Sequence, residues 1–196
     1  MWLHASPSLH CCCCCEPCEI YTAGGSYFTW WLGPATAALA VPMYRHGMAL
    51  RRSLPRLIVI VLAGSMVGMI TAGVTAWLFG APRAVIMSTI PKSVTTPIAI
   101  EVSSELGGIP QITIAMVILA GVLGAVFGPA LLRLVGVREN KAVGAAVGCA
   151  SHGVGTASLV RRSEMQATVS SWAMAAAGVF TSLLAIVLKL LLRAMQ

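Results

Sequence analysis

Three charge-free runs, Leu57–Phe79, Ile112–Leu132 and Met165–Leu188, constrain this chain more than any other feature. Each exceeds the roughly 20 residues, at about 1.5 Å rise apiece, that a helix needs to span hydrocarbon. Composition agrees. Of 196 residues, 58% are hydrophobic and 10% charged, with a mean hydropathy of +0.86, whereas a soluble domain carries about a quarter charged residues. The reading is an all-α polytopic integral membrane protein whose first partner is the lipid bilayer.

A net charge of +7 raises the question of nucleic acid, and the positions answer it. Arg45, Arg51, Arg52 and Arg56 precede the first run; Arg133, Arg138 and Lys141 follow the second; Arg161 and Arg162 precede the third. Basic residues flanking spans are a topology signal, so no nucleic-acid partner is implied. Six of the seven cysteines lie in the first 18 residues, five of them as Cys11–Cys15. Adjacent thiols cannot converge on one tetrahedral ion, and His4 and His10 add no ligand spacing, so no metal or cofactor is read here. Residues 1–20 are set apart as an unstructured or non-native leader, with 21–196 as the membrane domain. The leader has no run of seven apolar residues and does not read as a secretory signal.

Weaker apolar segments alternate with the strong runs: Phe28–Tyr44, Ala84–Ile100 and Ala142–Val160. All three carry glycine, proline or hydroxyl interruptions. Ala63-Gly64, Ala120-Gly121 and Ala177-Gly178 recur at a spacing of 57, and the same shift lays Val94-Thr95 on Ser151-His152. That register suggests an internal repeat. The expectation is about six membrane segments, three of them broken or re-entrant. If 84–100 and 142–160 dip in and return, the basic loops 45–56, 133–141 and 160–166 share one side, which the positive-inside rule favours. Glu101–Gln111 reads as an acidic connecting loop, either plainly solvated or offering a coupling-ion carboxylate.

Chemistry concentrates at two interruptions. In PKSVTTPIAI, Lys92 costs about 2.5–3.5 kcal/mol at the centre of a membrane helix, and a mid-helix proline about 3 more. Pro97 leaves the Ser93 carbonyl without its donor, so the segment is expected to unwind around Ser93–Pro97 and line a polar chamber. The alternative is a snorkelling Lys92 with hydroxyls bonded to the preceding turn. In ASHGVGTA, Gly153 and Gly155 free the backbone, Ser151 and Thr156 supply hydroxyls, and His152 titrates near neutral pH. A buried histidine tying two helices together is the alternative there. Thr36 is the only hydroxyl of Leu32–Pro42. Adjacent Ser151 and His152 do not form a nucleophile–base pair, and no phosphate loop, zinc-protease or dinucleotide motif is present, so no enzyme is indicated.

At these residues the chain resembles the LrgB family of integral membrane proteins, which includes CidB and the LrgB-like half of plastidic glycolate/glycerate transporters. The matching stretches are GPATAALAVP at Gly33–Pro42, PKSVTTPIAI at Pro91–Ile100 continuing to Gly108, and ASHGVGTA at Ala150–Ala157. Glu164 and Ser170–Met174 follow in the family's manner. The resemblance begins near Tyr21, and the family's earlier membrane segments are expected to be missing. It implies two functions. Bacterial members are described as antiholin- or holin-like modulators of murein hydrolase activity and autolysis, acting with a small LrgA-type membrane protein. Plastid relatives carry glycolate and glycerate, and bacterial systems are linked to pyruvate. The residues favour transport of a small anion, and the resemblance implies a monocarboxylate: Lys92 is expected to attract it, Ser93, Thr95, Thr96, Ser151 and Thr156 to donate hydrogen bonds, Thr36 to contribute to the same chamber, and His152 to couple a proton. The expected location is the bacterial plasma membrane, with the plastid inner envelope as the alternative. A homo-oligomer is compatible with this reading.

Overall fold

A computed structural model describes Arg51 and residues 53–194. Within them the chain forms six helices and no strand: α1 (Leu54–Leu78), α2 (Arg83–Thr89), α3 (Thr96–Leu106), α4 (Pro110–Leu134), α5 (Asn140–Val160) and α6 (Glu164–Ala194). The three strong runs are α1, α4 and α6. The leader, the segment Phe28–Tyr44 and Thr36 lie outside the described residues.

Helices α1, α4, α5 and α6 are long and apolar enough to cross a bilayer. The contacts show that α5 turns back instead. Asn140, its first residue, accepts a 2.9 Å hydrogen bond from Gln166 near the start of α6. Thr156, close to its other end, meets Ser170 at 2.8 Å. A straight helix of 21 residues would be about 31 Å long, too long for both ends to sit beside the first turns of α6. Leu159 also packs with Val143 and Val147. The reversal falls on His152, at φ 39 and ψ −136. Two arms, 140–151 and 153–160, therefore enter from one face and return to it.

Helices α2 and α3 make the corresponding hairpin from the opposite face. The Ile109 amide, just beyond α3, donates to Ser88 Oγ at 2.7 Å, and Met87 packs with Val102 and Leu106. Lys141 donates to Ser53 Oγ at 3.0 Å, so α1, α5 and α6 begin on one face, where α4 ends. The ion pair of Lys189 with Glu105 joins the far end of α6 to the far end of α3. Helices α1 and α6 thus run one way and α4 the other.

This arrangement explains the 57-residue register. A hairpin adds no net crossing and the span after it adds one, so successive hairpin–span units point in opposite directions, as an inverted repeat does. The shift lays Thr95, which opens α3 in an extended conformation (φ −63, ψ 146), on His152, which opens the second arm of α5. Re-entry places Arg133, Arg138, Lys141, Arg161 and Arg162 on the face of Ser53, as the charge distribution suggests.

Two expectations are adjusted. The first hairpin breaks over 90–95, slightly before the expected Ser93–Pro97, and turn bonds from Lys92 N to Thr89 O (3.2 Å) and Val94 N to Pro91 O (3.3 Å) hold it. Pro97 falls in the first turn of α3, where a missing N–H leaves no carbonyl bare. The acidic stretch is not a long loop either, since α3 continues to Leu106 and the left-handed Gly107 (φ 79) ends it.

Packing between α5 and α6 is backbone-close. A β-carbon on Gly144 would lie 2.6 Å from the Gln166 carbonyl oxygen, and one on Gly148 2.4 Å from that of Ser170. Small residues spaced four apart are what membrane helices use for such contact, because lipid supplies no hydrophobic drive to bring helices together. Outward positions such as Val59, Val67, Val126 and Val187 are exposed and apolar, as a hydrocarbon solvent permits.

Candidate functional site

Both hairpin tips meet α4 at one residue, Val117. Val94 of the first tip packs in a buried cluster with Ala99 and Val117. His152 of the second places Nε2 2.9 Å from the Val117 carbonyl oxygen. A carbonyl only accepts, so Nε2 carries the proton. One turn further along α4, Gly121 makes room for the ring; a β-carbon there would lie 2.7 Å from His152 Cε1.

The same convergence appears on α6. Gly178 faces Ile98 of α3, with a β-carbon position 2.9 Å from Cδ1, and Met174 Sδ lies 3.9 Å from the β-carbon position of Gly153. Positions 174 and 178 are about 6 Å apart along a helix. Helix α3 and the second arm of α5 therefore begin at nearly one level, between α4 and α6, arriving from opposite faces. The opening amides of a helix lack partners within it, and a helix N-terminus carries partial positive charge. A small anion is the ligand that such an arrangement favours.

Of the residues singled out from sequence, Lys92, Ser93, Thr95 and Thr96 sit together at the first tip, all half-buried. Ser93 Oγ stands against α1, 3.7 Å from the β-carbon position of Gly68. Thr95 does not cap α3 with its side chain. Among the described residues, the Lys92 ammonium has no ion-pair partner. Lys92 itself lies in the hairpin tip, between α2 and α3.

The second motif divides. His152 ties α5 to α4, the bland alternative of the sequence reading made concrete. Thr156 donates to the His152 carbonyl at 2.7 Å and meets Ser170 Oγ at 2.8 Å; with its own proton committed to a carbonyl, Thr156 must accept from Ser170. Its hydroxyl is occupied in holding the reversal. Ser151 is buried against Gly124, whose β-carbon would lie 2.5 Å from Ser151 Cβ. It lines an apolar groove of about 510 Å³ between α4 and α5, away from the first tip.

Sequence reasoning passed over two residues. Ser65 on α1 and Ser171 on α6 are buried hydroxyls without a hydrogen-bond partner among the described residues. Ser171 shares a helical face with Met174 and Gly178 (i, i+3, i+7), the positions that meet the two hairpins. Buried unsatisfied groups call for a ligand or water, and nothing in the sequence separates these serines from those bonded to their own helix. No group of three metal-ligating side chains occurs among the described residues.

A family model described as the LrgB-like family matches residues 8–191, reaching back into the stretch set apart as a leader. YxaC of Bacillus subtilis, an uncharacterized protein, is 35% identical over 164 residues, 84% of this chain and 71% of that protein. An uncharacterized protein of Haemophilus influenzae is 35% identical over 169 residues, 86% and 73% of the two chains. Proteins named antiholin-like protein LrgB in Bacillus cereus are 33% identical over 163 residues, 83% of this chain and 71% of theirs. No solved structure matches.

Proposed function

This chain belongs to the LrgB-like family, and from that premise we propose that it moves a small monocarboxylate of the pyruvate, glycolate or glycerate class across the membrane. The observation that carries this reading is the pair of inverted hairpins whose helix N-termini converge at Val117. Interrupted elements from opposite faces, with positive helix ends at the midplane, are the usual way a carrier holds an anion without a dedicated channel. Lys92 supplies the countercharge, and Ser93, Thr95 and Thr96 donate hydrogen bonds beside it. Ser151 and Thr156 hold the second tip in shape, while His152, with one ring nitrogen committed to α4, offers the other for a coupling proton. No enzymatic step is part of it.

A second reading has its own support. The Bacillus cereus relatives are named antiholin-like, which favours a modulator of murein hydrolases and autolysis, acting with a small LrgA-type membrane protein. Either role sits in a membrane, and the bacterial relatives favour the plasma membrane. The face carrying Arg133, Arg138, Lys141, Arg161 and Arg162 would be cytoplasmic by the positive-inside rule.

Uptake of labelled pyruvate, glycolate and glycerate into proteoliposomes holding only the purified chain tests the two. Uptake above protein-free vesicles supports the carrier. No uptake, with autolysis altered in cells that lack the protein, supports the modulator.

A further inference from the structure

Away from the hairpin tips, on the face where α4 ends, lies a polar recess of about 370 Å³. Arg133 from the last turn of α4, Arg138 from the loop after it and Arg162 from the loop after α5 all line it, with Asn140 and Gln166 between them. Gln166 donates to Asn140 Oδ1 at 2.9 Å, which holds the first arm of α5 against α6 and gives the recess a wall. No carboxylate lines it, and among the described residues none of the three guanidinium groups has an ion-pair partner.

Arginines that serve only to orient a span lie separately on convex surface, where water screens each one. Three gathered around one concavity repel each other and lower the local potential only when an anion enters. Planar guanidinium forks are shaped to grip tetrahedral oxyanions from several directions. The level is that of lipid headgroups, because Arg133 ends a helix of 25 residues that is long enough to reach from one interface to the other. We propose that this recess binds a phosphate group at the membrane surface, either the headgroup of an anionic phospholipid or a soluble phosphate ester. The site is separate from the one at Val117 and does not depend on the transport reading.

Native mass spectrometry and thermal unfolding of the full chain in detergent test it, with phosphatidylglycerol, phosphatidylcholine and glycerol 3-phosphate as probes. An interfacial arginine contributes about fivefold to anionic-lipid affinity, so Arg133→Gln/Arg138→Gln/Arg162→Gln should weaken binding by about a hundredfold. The single variant Arg138→Gln, in a loop and exposed, should weaken it about fivefold without threatening the fold. Arg161→Gln, adjacent but outside the recess, should leave it unchanged. Retention of phosphatidylglycerol over phosphatidylcholine, lost in the triple variant, assigns the site to lipid. Stabilisation by glycerol 3-phosphate alone, lost in the same variant, assigns it to a soluble ester. Equal binding by wild type and triple variant, or an equal loss in Arg161→Gln, overturns the proposal by showing a diffuse basic face.

Discussion

His152 Nε2 reaches the backbone carbonyl of Val117 at 2.9 Å, and the histidine makes that bond from a backbone conformation that L-residues rarely adopt, φ 39. The bond and the strain belong together. In α5 the reversal falls on this positive-φ residue, and the ring's bond to the Val117 carbonyl fixes it against α4. Strain of this kind persists where the surroundings over-determine it. The expected consequence is an inverted order of stability: His152→Gly should be more stable than His152→Ala by about 1 kcal/mol, although glycine is ordinarily the worse residue in a helix. Denaturation in mixed micelles measures this. The ordinary order would mean that residue 152 is helical in the membrane.

Re-entry makes a topological prediction. Single cysteines at Gly136 and Ser163, on either side of α5, should label from one face, and those at Gly80 and Gly107, on either side of the α2–α3 hairpin, from the other. Impermeant thiol reagent applied to right-side-out and inverted vesicles, in a background without native cysteines, reads the result. Labelling of Gly136→Cys and Ser163→Cys from opposite faces would mean that α5 crosses.

The hairpin tip fits into notches on α4. A β-carbon on Gly124 would lie 2.5 Å from Ser151 Cβ, whereas one on Gly128 would lie no closer than 3.8 Å to Val147 Cγ2. Gly124→Ala is therefore expected to destabilise by about 1–3 kcal/mol, the usual range for overpacking, and Gly128→Ala to be tolerated. Thermal unfolding of the two purified variants compares them. Equal melting temperatures would separate the tip from α4.

Much of this fold is legible in the sequence, because lipid imposes a simple rule: the charge-free runs became α1, α4 and α6 with ends shifted by a few residues. The hairpins were legible as interruptions, since PKSVTTP and SHGVG spend polar atoms and backbone bonds that no continuous helix in lipid would forgo. What the pattern hid is which residue carries each break. Gly153 and Gly155 were the natural candidates for unusual backbone, yet His152 takes the positive φ, because a contact with α4, 35 residues away, outweighs the local preference. Thr156 looked like a ligand donor for the same reason that it makes a good internal strut: a hydroxyl in a glycine-rich helix bonds whatever lies nearest, here the His152 carbonyl and Ser170. The notches had a readable signal, Gly121, Gly124 and Gly128 on one helical face, but their occupants did not.

The central claim is that an anion is held where the hairpins meet, with Lys92 as its countercharge. Breaking a hydrogen-bonded charge pair in a partly desolvated site commonly costs about 2–5 kcal/mol, at about 1.4 kcal/mol per tenfold. Lys92→Ala should therefore weaken monocarboxylate binding by well over tenfold, while Lys92→Arg keeps the charge and part of the affinity. The direct measurement is equilibrium binding of labelled pyruvate, glycolate and glycerate to the purified wild type and both variants, at matched membrane abundance. The account predicts binding in wild type, partial loss in Lys92→Arg and near-complete loss in Lys92→Ala; undiminished affinity in Lys92→Ala would contradict it.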